Sequence, residues 1–223
     1  MLAQRGLPFF LRLAALWATF PLWRLAFKLF PRTCTFRGER YPYFLHGYNV
    51  TWCNERAVEI PIVWAEVSRG DGRRVLEVGN VLSHYFAVTH DVIDKFERAP
   101  GVRNEDAVSF RAGRPYDLIV SISTLEHVGW DDEPRDPGKI ERALANLCAQ
   151  LAPGGRLVAT LPVGYNPHLD ALLAGGCPFS RCYYLKRLGL TAWREADWPE
   201  VAGSAYDDPW PGARGLVIGV VER

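Results

Sequence analysis

Residues 116–130 read YDLIVSISTLEHVGW. From 116 to 123 the run is apolar and rich in branched side chains, with no charge after Asp117, which is the composition of a strand buried on both faces. It then passes into Thr124, Glu126 and His127, polar groups gathered at the carboxyl end of that strand. On the amino side, RVLEVG (74–79) is a shorter apolar run closed by a glycine, and VTHDVID (88–94) is a second. On the carboxyl side, GKIERALANLCAQL (138–151) places Ile140, Leu144, Leu147 and Leu151 at helical spacing, with Pro153-Gly154-Gly155 as its stop. GRLVATLP (155–162) is another strand, and TAWREADW (191–198) and GLVIGVVE (215–222) read as closing strands, antiparallel to each other. Strands alternating with helices predict an α/β fold, a doubly wound, mostly parallel sheet with ligands at the carboxyl ends of its strands.

The chain has 223 residues, 48% hydrophobic and 23% charged, enough for one well-cored domain and an appendage and too apolar for a disordered chain. A formal net charge of +1 gives no global field toward nucleic acid. Five cysteines without a Cys-x-x-Cys pair exclude a zinc or redox motif and read as reduced thiols of a cytosolic protein. The charge is uneven, because residues 1–38 hold Arg5, Arg12, Arg24, Lys28, Arg32 and Arg37 and no acidic group. Within them, LPFFLRLAALWATFPLWRLAFKLF (7–30) is interrupted by Arg12 and split by Pro21, too broken for a membrane span or a signal peptide. Two readings of that stretch stand. It is a helix packed on the domain or on a second subunit, or it lies in a membrane surface with its aromatic residues in the acyl boundary.

The chain divides into a basic hydrophobic helical extension (1–33), an aromatic linker and helix over the site (34–69), and the α/β domain (70–223). In the middle piece, Ala57, Ile60, Val63, Trp64 and Val67 have helical spacing, with Asn54 as candidate N-cap and Pro61 as a kink. Residues 34–53 show no clear periodicity.

Glu77 inside a buried strand, with Gly79 at its end, suits a nucleoside-binding turn, since glycine lets the backbone approach a ligand. Asp94 closes the second strand, where a carboxylate accepts from a ribose diol, and Asp106 follows in GVRNEDAV. With these pieces in order, residues 75–79, SISTLEHVGW (121–130) and LAPGGRLVATLP (151–162) together resemble the class I S-adenosylmethionine-dependent methyltransferases, over roughly residues 54–223. The bacterial sugar and cell-surface-glycan branch is the nearer likeness. The resemblance implies a seven-stranded sheet with a reversed last hairpin, S-adenosylmethionine as cofactor, and methyl transfer, to which the residues before 34 add an N-terminal helical extension. It puts Glu77 and Gly79 beside the methionine moiety, Asp94 on the ribose, Asp106 at the adenine amine, and Asn80, Ser123, Thr124, Leu125 and Glu126 along the cofactor.

One departure matters. The family has glycines two and four residues after the first, where this chain has Val81 and Ser83. A β-branched Val81 does not readily take positive φ. Either the loop has another shape, with Asn80 and His84-Tyr85 replacing backbone contacts, or the chain is a non-catalytic scaffold on the same fold. A nicotinamide-dependent oxidoreductase is excluded by the missing Gly-x-Gly-x-x-Gly.

Methyl transfer to a hydroxyl needs a proton acceptor. His127 is the first candidate base, with a loop-fixing histidine as the plain alternative, and His168 is the second. Tyr165 and Asn166 are candidate substrate contacts. Asp131-Asp132-Glu133 is a solvated acidic loop or a site for a cation or an amine. The expectation is oxygen methylation of a small or glycan-type acceptor, without metal or nucleic acid, in the cytoplasm or at the inner membrane face.

Overall fold

The computed structural model describes residues 14–70, 72–208 and 210–223. Helix α1 (Phe20–Leu29) is followed by strands β1 (Thr33–Phe36) and β2 (Glu39–Pro42), then by helix α2 (Arg56–Ser68). The core contains β3 (Val75–Val78), β4 (Asp91–Ile93), β5 (Val102–Arg103), β6 (Tyr116–Ile122), α3 (Lys139–Ala149), β7 (Leu151–Pro162) and α4 (Pro167–Gly176). It closes with β8 (Arg181–Gly189), β9 (Ala192–Ala196), the short α5 (Trp198–Val201) and β10 (Gly215–Glu222).

The main sheet runs β5-β4-β3-β6-β7-β10-β8-β9. The first five of these strands are parallel, and β10 is antiparallel to both β7 and β8. The doubly wound α/β expectation holds, with two corrections. The sheet has eight strands where seven were expected. The residues expected to pair with β10 form β9, which pairs with β8, while β10 inserts between β7 and β8. Strand β8 was missed because RCYYLKRLG carries three cationic side chains and has no apolar run. Pro153, Gly154 and Gly155, expected as a helix stop ahead of the strand, lie within the first residues of β7 itself.

Alternation along β6 explains why two helical layers form. Leu118, Val120 and Ile122 face Val58, Ile62 and Val63 of α2, while Ile119 faces Leu144 and Leu147 of α3. All six strand and α2 core positions named for the first face are exposed to 2% or less, so α2 shares the core of the sheet. Its N-cap position is Glu55, and Asn54 contributes by accepting from the Arg56 N–H at 3.0 Å.

The unpatterned stretch before α2 contains a β1–β2 hairpin, turned at Arg37 and Gly38 with φ of 51° and 77°. At Pro21 the helical run does break, since Thr19 is the N-cap position of α1 and Pro21 sits in its first turn. Cys177 and Cys182 form a disulfide where the turn from α4 into β8 folds them together, which corrects the all-thiol reading, while Cys34, Cys53 and Cys148 are free. Among the described residues, no helix is long and apolar enough to cross a membrane.

Candidate active site

Strand β3 delivers Glu77 into the interior, where it is fully buried. Its Oε1 accepts from the Val81 N–H at 2.9 Å and the Leu82 N–H at 2.8 Å, and its Oε2 lies 2.9 Å from His90 Nε2. The carboxylate therefore closes the loop after β3 from within. Gly79 takes φ +88° and donates to the Ile93 carbonyl at 2.8 Å, and a Cβ there would collide with Thr124. Val81 has φ −113° and ψ −49°, an ordinary conformation for a β-branched residue. The loop thus has another shape and needs no second glycine. Asn80 contributes by donating its N–H to Asp94 Oδ2 at 3.1 Å and its amide to Glu97 Oε1 at 2.7 Å. His84 and Tyr85 turn aside, His84 stacking on Tyr48 and Tyr85 meeting Phe44 edge-on.

At the carboxyl ends of β3, β4 and β6 lies a cleft of about 500 Å³, mouth included, and Gly79, Asp94, Asp106, Thr124 and His127 all line it. Val78, Ile93, Ala107 and Val128 give it apolar walls. Asp94 Oδ1 accepts from the N–H groups of Phe96 (2.8 Å) and Glu97 (2.7 Å), so the aspartate shapes the rim as well as facing the cleft. Sequence reasoning missed Lys95 and Lys139. Lys139 lies 2.8 Å from Asp106 and also meets Asp132, while Lys95 lies 2.9 Å from Asp132 and 3.4 Å from Asp106. Burial opposes the charge on Asp106, yet the Lys139 hydrogen bond and the Val108 N–H hold its carboxyl below the usual range. The available signal was scarcity, because the chain has only four lysines.

Beyond the cleft wall, His127 Nδ1 lies 2.7 Å from Asp131 Oδ2, and its ring meets Tyr165 at 4.5 Å between centroids. The Tyr165 hydroxyl donates to Asp131 at 2.8 Å. This contact joins two residues four apart in one loop, whose Trp130 and Asp131 N–H groups also donate to the His127 carbonyl, so it fits a loop-fixing histidine as well as a base. Glu126 is buried behind the histidine, with Oε1 at 3.6 Å from His127 Nε2 and Oε2 without a hydrogen-bond partner among the described residues. Arg56 lies 3.1 Å from Glu59 and donates to the Ile122 carbonyl at 3.1 Å, and Ser123, at φ +38°, donates to Glu59. Burial pushes the Glu126 carboxyl well above the usual range, and Glu59 and Glu55 add to that.

Several predicted site residues face away from the cleft. Glu77 is taken up by its own loop. Leu125 is core. Asn166 is fully buried, caps α4 by accepting from His168 and Leu169 N–H, and donates to the Glu126 carbonyl at 2.8 Å. His168 points toward Glu141 of α3 at 3.4 Å.

No protein-family model and no curated protein matches the sequence. Solved structures do overlap it. The likeness is to S-adenosylmethionine-dependent methyltransferases. The N-methyltransferase NodS from Bradyrhizobium japonicum WM9 aligns over 76% of this chain and 96% of its own, at 17% identity and a TM-score of 0.44. The sugar N-methyltransferase KedS8 from Streptoalloteichus sp. aligns over 75% and 88%, at 16% and 0.39. CalS10, an amino pentose methyltransferase from Micromonospora echinaspora, aligns over 71% and 87%, at 18% and 0.36. Identities and TM-scores this low transfer no substrate and no residue role.

Two outcomes follow from the buried carboxylates. Glu77→Ala leaves the Val81 and Leu82 amides without their acceptor, so it lowers stability by about 3 kcal/mol in urea unfolding and speeds hydrogen exchange at those amides. For Glu126, the folded pKa lies above the unfolded one, so the native state binds the proton more tightly. Its contribution is present below about pH 4.5 and is lost as pH rises through the folded value. Glu126→Gln therefore flattens the fall in stability as pH rises above the ordinary carboxylate range, and parallel profiles for the two proteins would refute the assignment.

Proposed function

We propose that this chain is a cytoplasmic S-adenosylmethionine-dependent methyltransferase acting on a hydroxyl oxygen of a small or glycan-type acceptor. The observation that carries the reading is His127 on the cleft wall, paired with Asp131, in the same cleft that Gly79, Asp94 and Asp106 line. The residues fit the cofactor. The cleft has apolar walls for a purine, carboxylates at two points, and a glycine position that no side chain can enter. Asp94 would hold a ribose hydroxyl through the one Oδ2 lone pair that its three backbone donors leave open, and Asp106 would meet the adenine amine. Bound there, S-adenosylmethionine supplies an electrophilic methyl group.

The chain's own residues handle the acceptor's proton. With Asp131 accepting from Nδ1–H, the neutral imidazole has Nε2 as its basic nitrogen, 3.6 Å from Glu126 Oε1 and outside hydrogen-bond distance of it, so an acceptor hydroxyl would have to reach it beside that carboxyl. Tyr165, hydrogen-bonded to Asp131 and edge-on to the ring, keeps that pair in place. The imidazolium formed on proton transfer is stabilised by Asp131. Tyr165 lies close enough to this pair to meet an acceptor, which keeps its substrate role in the reading.

A non-catalytic scaffold is the second reading, and one observation favours it: Lys139 already occupies Asp106. Titration calorimetry separates the two. The enzyme reading expects binding of S-adenosylmethionine and S-adenosylhomocysteine in about the micromolar range, weakened about tenfold or more by Asp94→Ala. A folded protein that binds neither at millimolar ligand would leave the scaffold, and unchanged affinity in Asp94→Ala would remove the ribose assignment. His127→Asn keeps cofactor affinity and lowers turnover by about 10²-fold or more. A variant that turns over normally would move the base elsewhere.

A further inference from the structure

Helix α1 is apolar on two opposite sides, and the described residues cover only one of them. On the inner side, Phe20 stacks on Trp52 with centroids 4.8 Å apart, Phe27 meets Tyr43 edge-on at 6.3 Å, and Trp23 packs against the cluster of Val50, Trp52 and Cys53. On the outer side, Leu22, Leu25 and Leu29 fall at three- and four-residue steps, 69%, 55% and 61% exposed, with Phe30 at 72% just beyond. Solvent is an unfavourable neighbour for so continuous an apolar stripe.

The charge around the stripe says what covers it. Lys28 borders the stripe three residues after Leu25, Arg24 lies one turn before it toward the covered side, and no acidic residue occurs before Glu39. A second copy of this face would set Arg24 and Lys28 against like charges. A surface that is apolar beneath and anionic at its rim meets both features.

We propose that the Leu22–Leu25–Leu29 face of α1 docks on an anionic lipid bilayer, lying in the plane of the headgroups. The leucines and Phe30 enter the acyl boundary, and Arg24 and Lys28 reach the headgroup phosphates. The Phe20–Trp52 contact ties the docked helix to the 3-10 turn Tyr48–Cys53, and Tyr48 stacks on His84 at 4.7 Å. His84 pairs with Glu97, which also receives the Asn80 amide, so α1 and the rim of the cleft share one wall.

The test is co-sedimentation of the full-length chain with vesicles of phosphatidylcholine alone and of about three parts phosphatidylcholine to one part phosphatidylglycerol. The chain is expected in the pellet with anionic vesicles, with affinity about tenfold lower on neutral vesicles and lower again at high salt. The double variant Leu25→Glu/Leu29→Glu, whose side chains leave the core untouched, should lose anionic binding by about tenfold or more while its melting curve and its cofactor titration stay unchanged. The unchanged titration keeps this result separate from the methyl-transfer reading. Three results would overturn the proposal. The chain stays in the supernatant with anionic vesicles, or the double variant binds them as well as the parent, or the parent self-associates in ultracentrifugation while the double variant is a monomer that never met lipid.

Discussion

The Glu77 carboxylate is the constraint on which the site depends. A charge taken this far from water is tolerated only with its hydrogen bonds made, and here two backbone N–H groups and the His90 ring make them. In return the carboxylate sets where the chain goes after β3. It bends the backbone over at Gly79 and lets Val81 and Leu82 follow in ordinary conformations, Leu82 dropping into the core. The glycines absent at 81 and 83 are therefore not a lesion in this loop, because an interior acceptor holds its curvature.

A second set of buried charges ties the N-terminal segment to the sheet. Arg56 at the start of α2 reaches both Glu59 and the last carbonyl of β6, while Glu55 accepts from the Ala213 N–H ahead of β10 at 2.8 Å. Burial raises the Glu55 and Glu126 carboxyls, and the crowding of three carboxyls around one guanidinium adds to it. On the other side of His127 the balance is different. Lys95 and Lys139 bridge Asp106 and Asp132 at the half-exposed mouth of the cleft, where ion pairs orient groups more than they stabilise the fold. His127 sits between a dry acidic interior and this neutralised rim.

Much of the architecture was legible because its signals are local. The uncharged run of β6, the short runs of β3 and β4, and the helical spacing of α2 and α3 each show in a window of a few residues. Gly79, Asp94, Asp106, Thr124 and His127 come together for the same reason, since all lie just past strand ends that a parallel sheet places along one edge. Strand β8 hid because edge-side strands carry polar residues, and the place of β10 hid because nothing in its own residues says which neighbours it takes.

Side-chain roles were another matter. Asn166 looks like a contact residue in sequence, yet its amide caps α4 and pins the Glu126 carbonyl. Glu77 looks like a ligand to a cofactor, yet its oxygens belong to the loop. The sequence alone determined the alternation of strands and helices and the order of polar groups along the sheet's carboxyl edge, because periodicity and burial pattern are properties of short stretches. Only the tertiary structure decided which of those groups face open space, because a carboxylate or an amide takes its role from the partner it meets. Lys139 for Asp106, Arg56 for Glu59 and the Ile122 carbonyl, and His90 for Glu77 are partners that the fold brings in from other segments of the chain.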